Sequence, residues 1–250
     1  MDLPSSFLLY AGIGFAAQLI DGALGMAYGV VTASLLLAFG LPPSLVSASV
    51  HSAEVAVTGV SGISHSLFGN IDRRLMWALA VPGVIGGIAG ALLLSTVHWD
   101  WLRPLVALYL LGLGLLLLSR AWRRTRGAST HRGLVPLGLV AGFLDAVTGG
   151  GWGSLTTSTL VAQHHEPRFA IGTAHAAKFF VSLTISLVFL LTLGFSHAQV
   201  VFGLMAGGVL AAPLGAWLVK RVRARPLLLL VGLLVVGLSA RTLSKSIGLL

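Results

Sequence analysis

Few residues in this chain could do chemistry, and they are grouped. Ser47, His51, Glu54, Thr58, Ser61 and His65 follow one another at spacings of 4, 3, 4, 3 and 4. On a helix this spacing draws one polar stripe along an otherwise apolar surface. A second stripe carries His175, Lys178 and Ser182, then turns apolar at Ile185 and Phe189. A third grouping is acidic and rich in glycine. Asp21 to Gly29 reads D-G-A-L-G-M-A-Y-G, and Asp145 to Gly153 reads D-A-V-T-G-G-G-W-G. Glycine admits backbone angles closed to other residues and leaves amide N–H groups uncovered. A helix that starts just beyond such a break aims free N–H groups and its positive dipole end outward, a ready anion site.

The chemistry this suggests is binding and charge compensation. Amides around Gly25, Tyr28 and Gly29, and around Gly149, Gly150, Gly151, Trp152 and Gly153, would hold an anion. The hydroxyls of Thr32, Ser154 and Thr156 and the ammonium of Lys178 would join them. His51, His175 and Glu54 are the candidates for moving a proton, since an imidazole titrates near neutral pH. A competing reading makes Glu54 and Lys178 a buried ion pair that only locks the chain, and the histidines simple hydrogen-bonders. Asp21 and Asp145 would repel an anion, so capping a following helix or carrying a proton suits them better. The scheme requires no catalytic residue, cofactor or resident metal.

Composition decides the solvent in which these groups must be positioned. Of the 250 residues, 56% are hydrophobic and 9% charged, and the mean hydropathy is +0.95. Apolar runs at 75–97, 102–119, 169–193, 199–219 and 226–240, and a more polar one at 44–68, predict membrane-spanning helices. Lipid forces each segment to satisfy its own backbone hydrogen bonds, so helix is expected throughout. A β-barrel would alternate polar and apolar residues, and these runs do not. A charged group at mid-membrane costs ~2.5–3.5 kcal/mol, so Glu54 and Lys178 are expected to face a pathway or each other. The net charge of +9 comes from arginines clustered between the runs, the mark of cytoplasmic loops and not of a nucleic-acid face. No cysteine is present, which excludes disulfides and thiolate metal sites. The opening MDLPSS has no basic segment and predicts no cleaved signal peptide.

The chain also matches itself, without a gap, at an offset of 124 residues. Asp21 falls on Asp145, Gly25 on Gly149, Gly29 on Gly153, Thr32 on Thr156, Pro43 on Pro167 and His51 on His175. Tyr28 falls on Trp152, and Glu54 on Lys178. Two halves follow: residues 1–119 and 133–250, joined by a basic linker at 120–132 that contains five arginines. With that linker in the cytoplasm, Asp72-Arg73-Arg74, His164–Arg168 and Lys220–Arg225 also fall inside. Leu41–Pro43, Trp99–Trp101 and Phe195–His197 fall outside. Equivalent loops then lie on opposite sides, so the halves read as inverted, a signature of secondary transporters. Gly133–Leu144 and Trp152–Gln163 have twelve residues each, about 18 Å of helix, too short for a ~30 Å core. They predict a re-entrant hairpin, with short spanning helices as the alternative, and residues 5–20 and 28–40 predict its counterpart. The expected fold is an all-α polytopic membrane protein of two inverted repeats. Each repeat is a short broken or re-entrant helix pair followed by three spanning helices. Gly83, Gly86, Gly87, Gly90, Gly203, Gly207 and Gly208 are expected to serve close helix packing.

With these motifs the chain resembles the sulfite exporter TauE/SafE family of membrane permeases, also called the TSUP family. The resemblance rests on the duplicated Asp/Gly segments, on A-S-V-H-S-A-E (48–54) and G-T-A-H-A-A-K (172–178), and on H-S-L-F-G-N-I-D-R-R (65–74). Gly149-Gly150-Gly151 looks like the family's glycine cluster, and the first half departs from it with Gly25-Met26-Ala27. The resemblance implies transport of small sulfur-containing anions such as sulfite, thiosulfate or sulfoacetate across the inner membrane. Expected partners are that anion and membrane lipid, with assembly into a homo-oligomer left open and nucleic acid excluded. Two rival functions stay in view. One is a divalent-cation transporter using His51, Glu54, His65 and His175. The other is an intramembrane hydrolase using Ser154 with a histidine.

Overall fold

Proline, aspartate and glycine set the ends of the helices. Pro43 and Pro167 open their helices at the first turn, where a missing N–H costs nothing. Asp72 caps the next helix by accepting from the N–H groups of Arg74 and Leu75 at 2.9 and 3.1 Å. Gly25 and Gly149 end theirs with φ of 72° and 74°, a left-handed turn that glycine makes without strain. The computed structural model describes residues 3–97, 99–122, 133–195, 197–218 and 221–246. Residues 123–132 of the basic linker, with Ser196 and Lys220, lie outside this set.

Among the described residues the regular structure is entirely helical. In the first half it comprises α1 (Leu3–Leu24), α2 (Tyr28–Ala38), α3 (Pro43–Leu67), α4 (Arg73–Thr96) and α5 (Trp99–Arg120). The second half has α6 (Leu134–Thr148), α7 (Trp152–Ala162), α8 (Pro167–Leu193), α9 (Ala198–Leu218) and α10 (Ala224–Ser246). Six stretches are long and apolar enough to cross a membrane: Ser6–Leu24, Arg73–Thr96, Trp101–Arg120, Pro167–Leu193, Ala198–Leu218 and Ala224–Ser246. α3 has the length, at 25 residues, but its polar stripe lowers its hydropathy. α1 is longer than the sequence suggested, 22 residues or about 33 Å, because it runs through Asp21 and stops only at Leu24. α6 likewise runs past Asp145 to Thr148. Both aspartates therefore lie in the last turns of helices, not at the break itself.

The packing repeats when the halves are exchanged. α1 lies along α9 as α6 lies along α4, α3 crosses α8, and α5 rests on α10. Glycines make the closest of these contacts. Gly14 meets Leu204 and Gly22 meets Gly215, while Gly138 meets Leu79 and Gly142 meets Gly83. Each pair advances in the same direction, so α1 runs parallel to α9 and α6 parallel to α4. Gly86, Gly90, Gly203 and Gly207 touch backbone of the facing helix, the close approach their spacing predicts. The surface inverts that of a water-soluble protein. Leu191, Leu67 and Leu210 are 85%, 82% and 70% exposed, while Glu54, His51 and Asp145 are fully buried. Lipid as solvent explains both.

α5 ties the short helices in place. Arg103, near its start, donates to the Leu37 carbonyl at 2.8 Å, and Arg120, at its end, donates to the Ser158 carbonyl at 2.8 Å. Both carbonyls belong to the C-terminal part of a short helix, α2 and α7, where a cation meets the negative dipole end. The two arginines are 17 residues apart, about 25 Å along α5. Thus α2 and α7 run from a shared centre to opposite ends of one helix. Arg103→Ala should lower the midpoint of thermal unfolding in detergent, consistent with a loss of about 1.5–3 kcal/mol for a charged hydrogen bond. An unchanged midpoint would show that Arg103 does not hold α2.

Candidate functional site

The site forms where the α1–α2 and α6–α7 breaks meet. Asp21, three residues from the end of α1, reaches across its break and accepts from the Ala27 N–H at 2.6 Å. Asp145 does the same for Trp152 N–H at 2.9 Å. Each aspartate is a tether: it sits on the incoming helix and satisfies a donor at the start of the outgoing one. This is the capping role expected for them, supplied from the far side of the glycine turn. The two breaks touch each other. Ser154 donates to the Met26 carbonyl at 3.2 Å and Thr157 to the Gly25 carbonyl at 2.8 Å. Gly29 lies against Gly149 and Gly150, and Gly153 against Gly25 and Met26.

The polar stripes of α3 and α8 face this junction. Lys178 Nζ lies 2.5 Å from Glu54 Oε1 and 3.9 Å from Asp145 Oδ2, and Ser182 donates to Glu54 Oε2 at 3.1 Å. The expected Glu54–Lys178 pair therefore forms. His51 Nε2 is 3.2 Å from Asp145 Oδ2 and 4.0 Å from Glu54 Oε2, while its Nδ1 is 2.8 Å from the Ser47 carbonyl. His175 Nε2 sits 3.3 Å from Asp21 Oδ2, close enough for charge attraction but off the hydrogen-bond line. Its Nδ1 is 2.7 Å from the Ser61 hydroxyl. Each histidine thus meets the aspartate of the other half. His51 and Glu54 group with Asp145 as potential metal donors within 4.8 Å of one another, whereas His65 packs edge-on against His175.

Between the breaks lies a cavity lined by Gly25, Gly29, Gly151, Trp152, Gly153, Asp21, His175 and Lys178, with Met26 and Val30. It has room for about one water molecule, so anything larger enters only if the breaks move apart. The hydroxyls expected at the anion turn elsewhere. Thr32 donates to Tyr28 carbonyl and Thr156 to Trp152 carbonyl, both at 2.6 Å. Tyr28 Oη donates to the Leu204 carbonyl at 3.2 Å, and Trp152 Nε1 to the Ala174 carbonyl at 3.0 Å. These two aromatics, equivalent in the repeat, anchor α2 and α7. Gly149 faces Ala33 and Ser47, and Gly150 faces Gly29 and Val30. Ser47 donates to the Ala146 carbonyl at 2.5 Å, fastening α3 to the α6 end.

Tyr109 of α5 was not marked by any pattern in the sequence. Its hydroxyl lies against Gly151 and is buried without a hydrogen-bond partner. A tyrosine in an apolar run gives no period to read, and only the position of α5 brings it to the break.

The duplicated Asp/Gly segments on which the sequence resemblance rests are the two breaks that meet here. The model of the sulfite exporter TauE/SafE family matches residues 10–242. The chain belongs to this family. It is 43% identical over 246 residues to the probable membrane transporter protein YtnM of Bacillus subtilis, covering 94% of this chain and 82% of the relative. A probable membrane transporter protein of Haemophilus influenzae is 27% identical over 218 residues, covering 83% of this chain and 82% of the relative. No solved structure matches the chain. As a TauE/SafE member with six helices among its described residues long and apolar enough to cross a membrane, the protein is a multi-pass membrane permease.

Proposed function

We propose that the protein is a secondary transporter for small sulfur-containing anions of the sulfite, thiosulfate and sulfoacetate class. It would work by alternating access, with the anion bound between the two helix breaks. The carrying observation is the cavity itself: two glycine breaks, each opening a helix N-terminus, face Lys178 across a space now closed to all but water. Free amides and dipole ends favour an anion there, and Lys178 adds the one full positive charge.

The inverted-repeat reading is supported by α5, whose opposite ends hold the C-terminal parts of α2 and α7. Hairpins entering from opposite faces and meeting at the centre give each face its own gate. With the Arg120 end in the cytoplasm, the Arg103 end is external. Proton coupling follows from charge. Glu54, Asp145 and Asp21 oppose a single ammonium, so protons on His51 and His175, each beside an aspartate, balance the group before an anion enters.

The geometry weighs against both rival functions. Lys178 stands among His51, Glu54 and Asp145, so a divalent cation would meet an ammonium among its ligands. The Ser154 hydroxyl is committed to the Met26 carbonyl, not to a histidine that could activate it. We therefore read the protein as a carrier and not as an enzyme.

The test is radiolabelled sulfite flux into liposomes containing purified protein, with and without a pH gradient. Thiosulfate, sulfate and sulfoacetate serve as competitors. Saturable flux that responds to the gradient and is inhibited by sulfur anions is expected. If no sulfur anion is carried or competes, the substrate class is wrong, and divalent cations become the next assay.

A further inference from the structure

His65 is the last polar member of the α3 stripe, and the scheme above gives it no task. It is fully buried. Its ring stands edge-on to His175, with centroids 5.3 Å apart. Its Nδ1 faces the Asn70 side-chain nitrogen at 3.3 Å, while its Nε2 has no partner. Asn70 is also fully buried, with its Oδ1 unpartnered. A buried imidazole and a buried amide, each with an open polar atom, cost stability that an apolar pair would not.

These groups form a line from the cavity to one end of the bundle. Asp21 faces His175 Nε2, Ser61 holds His175 Nδ1, and His65 lies beside His175 and reaches Asn70. Asn70 packs on Gly172, and next to that contact the Asp72 N–H donates to the Thr173 hydroxyl at 2.9 Å. There the loop opens into a surface hollow lined by Asp72, His164, His165 and Glu166. His175 from α8 is the titratable group that touches His65. Beyond it stand Asp21 of α1 and Lys178 of α8, and outward from Asn70 comes Asp72.

The other half has no such line. At the repeat positions of Ser61, His65 and Asn70 stand Ile185, Phe189 and Gly194. Ile185 and Phe189 are buried apolar side chains, and beside Phe189 and Gly194 lies an apolar groove of about 310 Å³. Two halves that share the aspartates and the first histidine thus differ at these positions: polar side chains in the first, apolar ones and a glycine in the second.

We propose that His65 is a proton-relay residue that connects the His175–Asp21 pair to the Asn70–Asp72 loop, so that the site exchanges protons through that face alone. This rests on the transporter reading. An imidazole accepts a proton on one nitrogen and releases one from the other, which leaves the opposite tautomer, and a ring flip restores it before the next passage. The proton reaches Nδ1 from a water that takes the place of the Asn70 amide, which itself only donates a hydrogen bond there, and leaves from Nε2 toward His175, directly or over one water. It ends shared between His175 and Asp21.

The test compares two assays on the full chain in liposomes. One is exchange of radiolabelled sulfite at equal sulfite and equal pH on both sides, which moves no net proton. The other is net sulfite flux driven by a pH step. His65→Gln should keep exchange, while pH-driven flux falls about a hundredfold, the scale of a lost proton-transfer group, and loses its pH dependence. His65→Phe, which copies Phe189, should behave alike if it folds. Gln variants that keep both activities overturn the relay. Loss of exchange together with net flux in both variants also overturns it, and makes His65 structural. Wild-type net flux that ignores a pH step removes proton coupling and the relay with it. Wild-type protein that exchanges no sulfur anion instead fails the transporter reading on which the relay depends.

Discussion

Lys178→Met should abolish the proposed sulfite flux and destabilise the protein by about 3–5 kcal/mol, because it leaves a buried Glu54 carboxylate without its partner. The pair is tight, with Nζ 2.5 Å from Glu54 Oε1, and both side chains are buried. Asp145 loses the same cation, 3.9 Å away. Adding Glu54→Gln removes the stranded charge, so the double variant should regain most of the stability. Flux should stay absent, since the ammonium that lines the cavity is gone. Thermal unfolding in detergent reads the first quantity, and liposome flux reads the second. A double variant that recovers both would reduce Lys178 and Glu54 to a structural lock and move the anion site elsewhere.

Gly153→Ala is expected to be severely damaging for a change of a single methyl group. A Cβ there would collide with the Gly25 carbonyl oxygen and stand 2.8 Å from Met26 Cα. Both obstacles are backbone, so no side-chain rotation relieves them. Overpacking of this kind costs about 1–3 kcal/mol or more, and here it also wedges apart the two breaks that form the cavity. Little folded protein, or folded protein without flux, is the expected result. Gly12→Ala and Gly112→Ala are the controls. Neither added methyl meets anything within 4 Å, and alanine favours a helix by about 0.8–1.0 kcal/mol over glycine. If Gly153→Ala transports as well as these do, the breaks are not in fixed contact during the cycle.

Several parts of the site were legible before any coordinates. The 4, 3, 4, 3, 4 stripe ending at His65 is a helix face, and that face does line the junction. The repeat paired Glu54 with Lys178, and the two do meet. The aspartate–glycine segments are breaks, with Gly25 and Gly149 in the same left-handed turn. Other parts were illegible for reasons of geometry. Thr32 and Thr156 looked like anion donors by type, yet inside a helix a threonine hydroxyl readily takes the carbonyl one turn back, and both do. The length of α1 was hidden because an Asp-Gly pair reads as a helix end, and nothing local says that Asp21 stays inside.

Patterns in the chain itself were enough for an all-helical membrane protein, two matching halves, and a polar stripe in each that fades early in the second. Those features repeat at short period or at a constant offset, and lipid leaves the backbone no choice but helix. Which partner each group takes was decided only by the tertiary fold. His51 meets Asp145, His175 meets Asp21, and Arg103 and Arg120 hold α2 and α7 from opposite ends of α5. Tyr109 reaches Gly151 by the same packing. Each contact joins residues far apart in the chain, and its existence depends on how helices cross, which no local period encodes.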